Sequence, residues 1–82
     1  MTKDELDAAI AKHVNGDGDL NLSDCDLSGL DLSGYDFTGA VMVRTNLTRT
    51  NLTGANFSMA RMVDASLVGA NLDQTILSGA TY

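Results

Sequence analysis

Proline is missing from these 82 residues, and there is one cysteine. A lone Cys25 cannot close a disulfide within the chain, so a reducing compartment, the cytoplasm, is the simple expectation. Basic residues are few: five Lys and Arg stand against eleven Asp and Glu, a net charge of −6 with a pI near 4.2. That balance argues against direct binding of nucleic acid or an anionic membrane, both of which need a basic footprint. No apolar run approaches the ~18 residues of a bilayer-spanning helix. No basic stretch leads into an apolar one, so no signal peptide is read. The length allows one domain with a marginal core, which must bury apolar surface efficiently or borrow a partner's. Eight glycines are left to punctuate the chain, and their spacing is the first positive signal.

Every fifth residue from position 22 is large and apolar: Leu22, Leu27, Leu32, Phe37, Met42, Leu47, Leu52, Phe57, Met62, Leu67, Leu72 and Leu77. Two residues before each lies a second set, which after Tyr35 is only Ala and Thr. Two residues after the large one, glycine recurs at 29, 34, 39, 54, 69 and 79. A period of five fits neither a helix at 3.6 nor a flat strand at 2. It fits a chain that turns a corner every five residues, with the large residue and the small one two before it on the same side of a short extended stretch. Gly, Asn and Asp suit the corners. Four corners close a coil of 20 residues, which stacks residue n on n+20. The columns Met42/Met62, Leu27/Leu47/Leu67, Leu32/Leu52/Leu72 and Phe37/Phe57 then place like on like, as layers ~4.8 Å apart favour.

Segments such as Thr50-Asn51-Leu52-Thr53-Gly54, Ala55-Asn56-Phe57-Ser58-Met59 and Ala70-Asn71-Leu72-Asp73-Gln74 resemble the A(D/N)LXX motif of the pentapeptide-repeat family. The resemblance covers residues 20–82. It implies an all-β solenoid, a right-handed quadrilateral β-helix of about three 20-residue coils. Val41, Arg61, Ser66 and Ile76 depart from the motif, standing where Asn or Asp is usual. Leu20, Leu30 and Tyr35 put bulk in small slots of the first coil, which must be wider or plugged.

Residues 1–19 read as a separate N-terminal cap. Thr2 with Glu5 forms a capping box opening a helix over residues 3–13, with Leu6, Ala9, Ile10 and Val14 on one face. Gly16 should stop it. Such a helix is expected to lie over the bulky first coil, as solenoid caps do. No second cap is read at the other end, where the repeat continues through Ala80 and Tyr82. An apolar end with unpaired edges is expected to be buried by a second copy or another protein, through Ile76, Leu77, Ala80 and Tyr82. The alternative is that Tyr82 folds in as a lid.

Charge is uneven along the chain. Residues 1–36 hold nine acids and two lysines, net −7, while residues 37–82 are net +1. The column Asp24/Arg44/Asp64 alternates in sign and suggests a ladder of modest worth. Some members of the resembled family inhibit DNA gyrase by resembling duplex DNA, which makes enzyme regulation an alternative function. A mimic needs acids spaced along the stack, whereas Asp26, Asp31 and Asp36 ring one coil. Val41, Val43 and Val63 occupy outward slots and form a second candidate interaction wall, with Val68 and Met59 on nearby faces.

Residues 13–24 resemble a dockerin-type EF-hand calcium loop. Asn15, Asp17, Asp19, Asn21 and Asp24 would be the metal ligands and Gly18 the turn glycine. His13 departs from the first acidic ligand, since hard Ca²⁺ prefers oxygen, and Asp24 is shorter than the usual Glu. A calcium-stabilised structural protein is thus a third reading; otherwise no cofactor is expected. His13 has no catalytic companion in any signature, so no enzyme activity is expected. The main expectation is a non-enzymatic binding or structural module that joins itself or a larger assembly.

Overall fold

The computed structural model describes residues 1–14 and 20–82. One helix, α1 (Lys3–Val14), precedes the repeats. Its start is the predicted capping box. The Thr2 N–H donates to Glu5 Oε1 at 2.9 Å, and the Glu5 N–H donates to Thr2 Oγ1 at 3.2 Å. Two otherwise orphaned donors are satisfied reciprocally. Asp4 and Glu5 in the first turn and Lys12 and His13 in the last also suit the helix dipole.

From Asn21 onward the chain pairs with itself twenty residues on. Parallel bridges join Asn21 to Val41, Asp26 to Asn46, Asp31 to Asn51 and Asp36 to Asn56, and the pattern repeats through Arg61 with Thr81. Four bridges per 20 residues give a coil with four faces. The first coil is 20–39, the second 40–59 and the third 60–79, with 80–82 opening a fourth layer. Each face contributes one bridged residue rather than a long strand, because a corner follows within three residues. Each unit makes a fixed set of bonds. The central N–H and the N–H two residues on both donate to the coil ahead, as in Leu27 N to Asn46 O and Gly29 N to Thr48 O. The residue before the centre donates backward, as in Asn46 N to Cys25 O.

Every corner carries a residue with positive φ two places after the centre. Glycine holds six, at φ near +70°, while Asp24, Arg44, Arg49, Met59, Asp64 and Gln74 hold the rest at +56° to +63°. A bond from the N–H three residues after the centre back to the central carbonyl closes the turn, as in Tyr35 N to Leu32 O. Positive φ at that position is what a type II turn requires.

The outer face explains the motif's Asn or Asp. Oδ1 of Asp26, Asp31, Asp36, Asn46, Asn51 and Asn56 accepts the N–H two residues later. The same oxygen accepts the hydroxyl of that Ser or Thr, as at Ser28 (2.6 Å) and Thr53 (2.7 Å). Inside, the centres from Leu22 to Phe57 are fully buried, and Phe37 stacks on Phe57 with centroids 4.9 Å apart. Threonine survives in the inward slots because its hydroxyl finds a carbonyl: Thr45 donates to Leu22 O and Thr50 to Leu47 O, both at 2.7 Å.

The bulky first coil is plugged. Leu6 of α1 is fully buried in the same core as Leu20 and Leu22, with Ala9, Ile10, Leu30 and Tyr35 packed around it. The Tyr35 hydroxyl donates to Asp7 Oδ1 at 2.5 Å, and Lys3 Nζ lies 5.6 Å from the Tyr35 ring centroid.

Candidate interaction surfaces

The two ends of the stack differ. The first coil lies under α1. In the third coil Met62 remains buried, but Leu67 and Leu77 are half-buried and Leu72 is 39% exposed. Tyr82 follows Leu77 by five residues and so holds a central slot, yet it is 76% exposed and forms no lid. Ala80 is half-buried beside it. Ile76, 45% exposed, belongs to the outward column Asp36/Asn56/Ile76, so it edges the wall rather than lining the open ring. Leu77, Ala80 and Tyr82 of the predicted set thus share the inward slots of this end with Leu67 and Leu72, which sequence reasoning omitted, whereas Ile76 stands outside the ring. The place of Leu67 and Leu72 in the five-residue register was the available signal.

Among the described residues the third coil also has backbone donors with no backbone partner. These are the N–H groups of Asp64, Leu67, Gly69, Leu72, Gln74, Leu77 and Gly79, the positions that pair in every earlier coil. An edge of this kind is a template for another strand.

The valine wall lies on the first face. Val41 and Val43 are half-buried and Val63 is 42% exposed. The wall marks a break in the outer network. Where Asn or Asp is lost at 41, 61 and 66, the hydroxyl two residues later is lost too, to Val43, Val63 and Val68, whereas Ile76 is followed by Ser78 and Asn71 keeps its bond from the Asp73 N–H with no hydroxyl there. The Val43 N–H is satisfied instead by Ser23 Oγ at 3.1 Å.

The charged corner column is only partly a ladder. Arg44 grips Asp24 with two bonds, Nε to Oδ1 at 2.7 Å and Nη2 to Oδ2 at 2.9 Å. This is the one ion pair among the described residues. The guanidinium bonds hold the Asp24 carboxyl below its usual range and raise Arg44 in turn. Both side chains are well exposed, so the pair adds little stability. Asp26, Asp31 and Asp36 are likewise lowered, chiefly by the hydroxyls of Ser28, Ser33 and Thr38 and then by their N–H groups.

Of the proposed calcium ligands, Asn15, Asp17 and Asp19 lie outside the described residues. Asn21 Oδ1 accepts the Ser23 N–H at 3.0 Å, and both Asp24 oxygens are taken by Arg44. Asp24 would have to leave Arg44 to reach a metal. Among the described residues no three metal-ligating side chains gather. Cys25 is a half-buried thiol packed on the core.

Parallel self-pairing every twenty residues, with a corner every five, defines a solenoid built of five-residue units. The chain belongs to the pentapeptide-repeat family, whose repeats match in eight copies over residues 21–58, 31–67 and 42–79. Among solved structures it is similar to a pentapeptide-repeat protein from the cyanobacterium Cyanothece 51142, at 32% identity over 74% of this chain and 55% of that one, with a TM-score of 0.39. It is also similar to a pentapeptide-repeat protein from Nostoc Pcc 7120, at 25% identity over 89% and 71% of the two chains, with a TM-score of 0.37. The chain thus spans little more than half the length of the Cyanothece protein. No curated protein matches it.

Proposed function

We propose that this chain is a non-catalytic protein-binding module that docks through the open end of its third coil, with a second copy as its partner or as part of a larger assembly. The observation that carries this reading is the asymmetry of the ends. A helix covers one, while the other presents Leu72 and Tyr82 to solvent beside a row of unpaired N–H groups. The coil winds with the right hand of its family, the hand that parallel segments joined by a crossover adopt almost without exception. The valine wall supplies a second contact for a larger assembly.

Enzyme regulation by resembling DNA is the weaker reading. The acids that would imitate phosphates ring one coil, and Asp26, Asp31 and Asp36 are tied into their own corners.

Light scattering over a range of concentrations tests the proposal. The intact chain is expected to approach twice its 8.6 kDa mass, and Tyr82→Asp with Ile76→Asp to remain monomeric at equal helicity. A monomeric intact chain with a variant of unchanged mass would refute self-docking through this end.

A further inference from the structure

The backbone ladder gives the stack a chemical direction. At the open third coil each complete face offers two N–H groups and one carbonyl, as in Leu67 N, Gly69 N and Ala65 O, without backbone partners among the described residues. At the first coil the proportion is reversed. Each face there offers two carbonyls and one N–H, as in Asp26 O, Ser28 O and Asp26 N. Donor-rich and acceptor-rich edges complement each other along the whole ladder, whereas two donor-rich edges can meet only through their side chains.

We propose that the first-coil edge beneath α1 is a docking surface for the third coil of a second copy, and that α1 is the stopper that keeps it closed. The inference rests on the reading of the third coil as a docking end. It adds the orientation and what controls it.

The register follows from the layer already begun. Met62 N bonds Thr81 O and Thr81 bridges Arg61, so residues 80–82 fill the first face of a fourth layer. For a chain of these 82 residues an incoming first coil would enter one face further on, with its residue 20 in the next unit of the ramp. That offset sets Leu22, Leu27 and Leu32 of the second copy on Leu67, Leu72 and Leu77. Tyr82 then meets Phe37 of the second copy. The stacking is again like on like, and the unpaired N–H of Leu72 meets the Asp26 carbonyl of the second copy. Charge opposes the contact slightly, because the third coil with Arg61, Asp64 and Asp73 is itself net −1 and meets the acidic first coil, so added salt should favour association.

α1 blocks this in two ways. Leu6 fills the apolar ring. The helix and its flank also sit on the acceptors themselves. The Met1 ammonium donates to Asp26 O at 3.2 Å, and His13 Nε2 lies 3.3 Å from Thr38 O. With α1 docked, only third coils are free, and association closes at two copies. With α1 released, each copy has two complementary ends, a head-to-tail contact that propagates without closing.

The test uses the full chain with Leu6→Asp, which expels the buried anchor of α1. Trypsin cleavage after Lys12 reports release, and light scattering reports mass. Mass should grow with concentration to many copies in Leu6→Asp, at least fivefold beyond the intact chain, and adding Leu72→Asp should abolish that growth. A released helix with the mass of the intact chain would overturn the proposal, whether that mass is monomer or dimer. An intact monomer with a polymerising Leu6→Asp variant would refute only the two-copy reading above.

Should Leu6→Asp aggregate through misfolding, register separates the cases. In a Cys25→Ser background, Asn71→Cys with Asp26→Cys lies on different faces of one chain but in adjacent layers across the offset contact. Adjacent layers ~4.8 Å apart suit a disulfide. Cross-linked chains should form with this pair and not with Asn71→Cys and Asp31→Cys. Equal cross-linking of both pairs would overturn the proposed contact.

Discussion

Replacing Gly54 by alanine isolates the backbone cost of a corner. Gly54 sits at φ +68°, and a Cβ there would meet nothing within 4 Å. The left-handed conformation costs a non-glycine residue about 1–2 kcal/mol, so Gly54→Ala should lose roughly that much. For a domain of this size 1 kcal/mol corresponds to about 4–8 °C in Tm. Gln74 is the reverse experiment: it is exposed, holds φ +58°, and occupies the open third coil. Gln74→Gly should therefore raise Tm by about 4–8 °C. Gly79 adds a steric contribution, because its Cβ would lie 2.8 Å from Met59 Sδ. Gly79→Ala should nevertheless cost little more than Gly54→Ala, because Met59 is exposed and the flexible end of its side chain can swing aside, and a double-mutant cycle with Met59→Ala should show little coupling. Thermal unfolding followed by circular dichroism supplies all of these values. A harmless Gly54→Ala, or a Gln74→Gly with unchanged or lowered Tm, would refute the reasoning that every corner shares one strained conformation.

Two further predictions concern pH. The bond to Asp7, aided by burial, pushes the Tyr35 phenol up to about 12, above the ~10 of an unfolded chain. The stability it contributes is complete below pH ~10 and is lost as pH rises toward 12. Alkaline unfolding should thus begin with release of α1, and Tyr35→Phe should remove that step in a titration of Tm against pH. Asp26, Asp31 and Asp36 titrate below the ~3.9 of an unfolded aspartate. Their contribution is present above that value and fades as pH falls through the lowered pKa values. Ser28→Ala and Ser33→Ala should shrink the acid-induced fall in Tm, and a fall of unchanged size would contradict the cause assigned.

The arrangement of the coil was legible because apolar residues can share one side only if the corner spacing is constant. Leu27, Leu47 and Leu67 therefore report both the five-residue unit and the 20-residue coil. The Thr2/Glu5 box was legible because a cap is a local contact. The outer network was not, because its signal lies in a pair of slots. Val43 and Val63 look like isolated apolar residues until Asp31 is seen to bind both the N–H and the hydroxyl of Ser33. Positive φ at Arg49 and Met59 was hidden for another reason: a closed ladder imposes a conformation that neither side chain prefers. The openness of the third coil was foreseen in general, but Ile76 was misplaced onto it. Slot parity puts residue 76 on the wall and residues 72 and 77 in the ring.

The most direct test of an interacting third coil is amide hydrogen exchange at low and high protein concentration. Leu47, Leu52 and Phe57 have paired N–H groups and buried side chains and serve as internal references, slow under both conditions. Docking predicts that the amides of Leu67, Leu72 and Leu77 exchange fast when dilute and become protected as concentration rises. Fast exchange at those three positions at every concentration, with the references still protected, would contradict it.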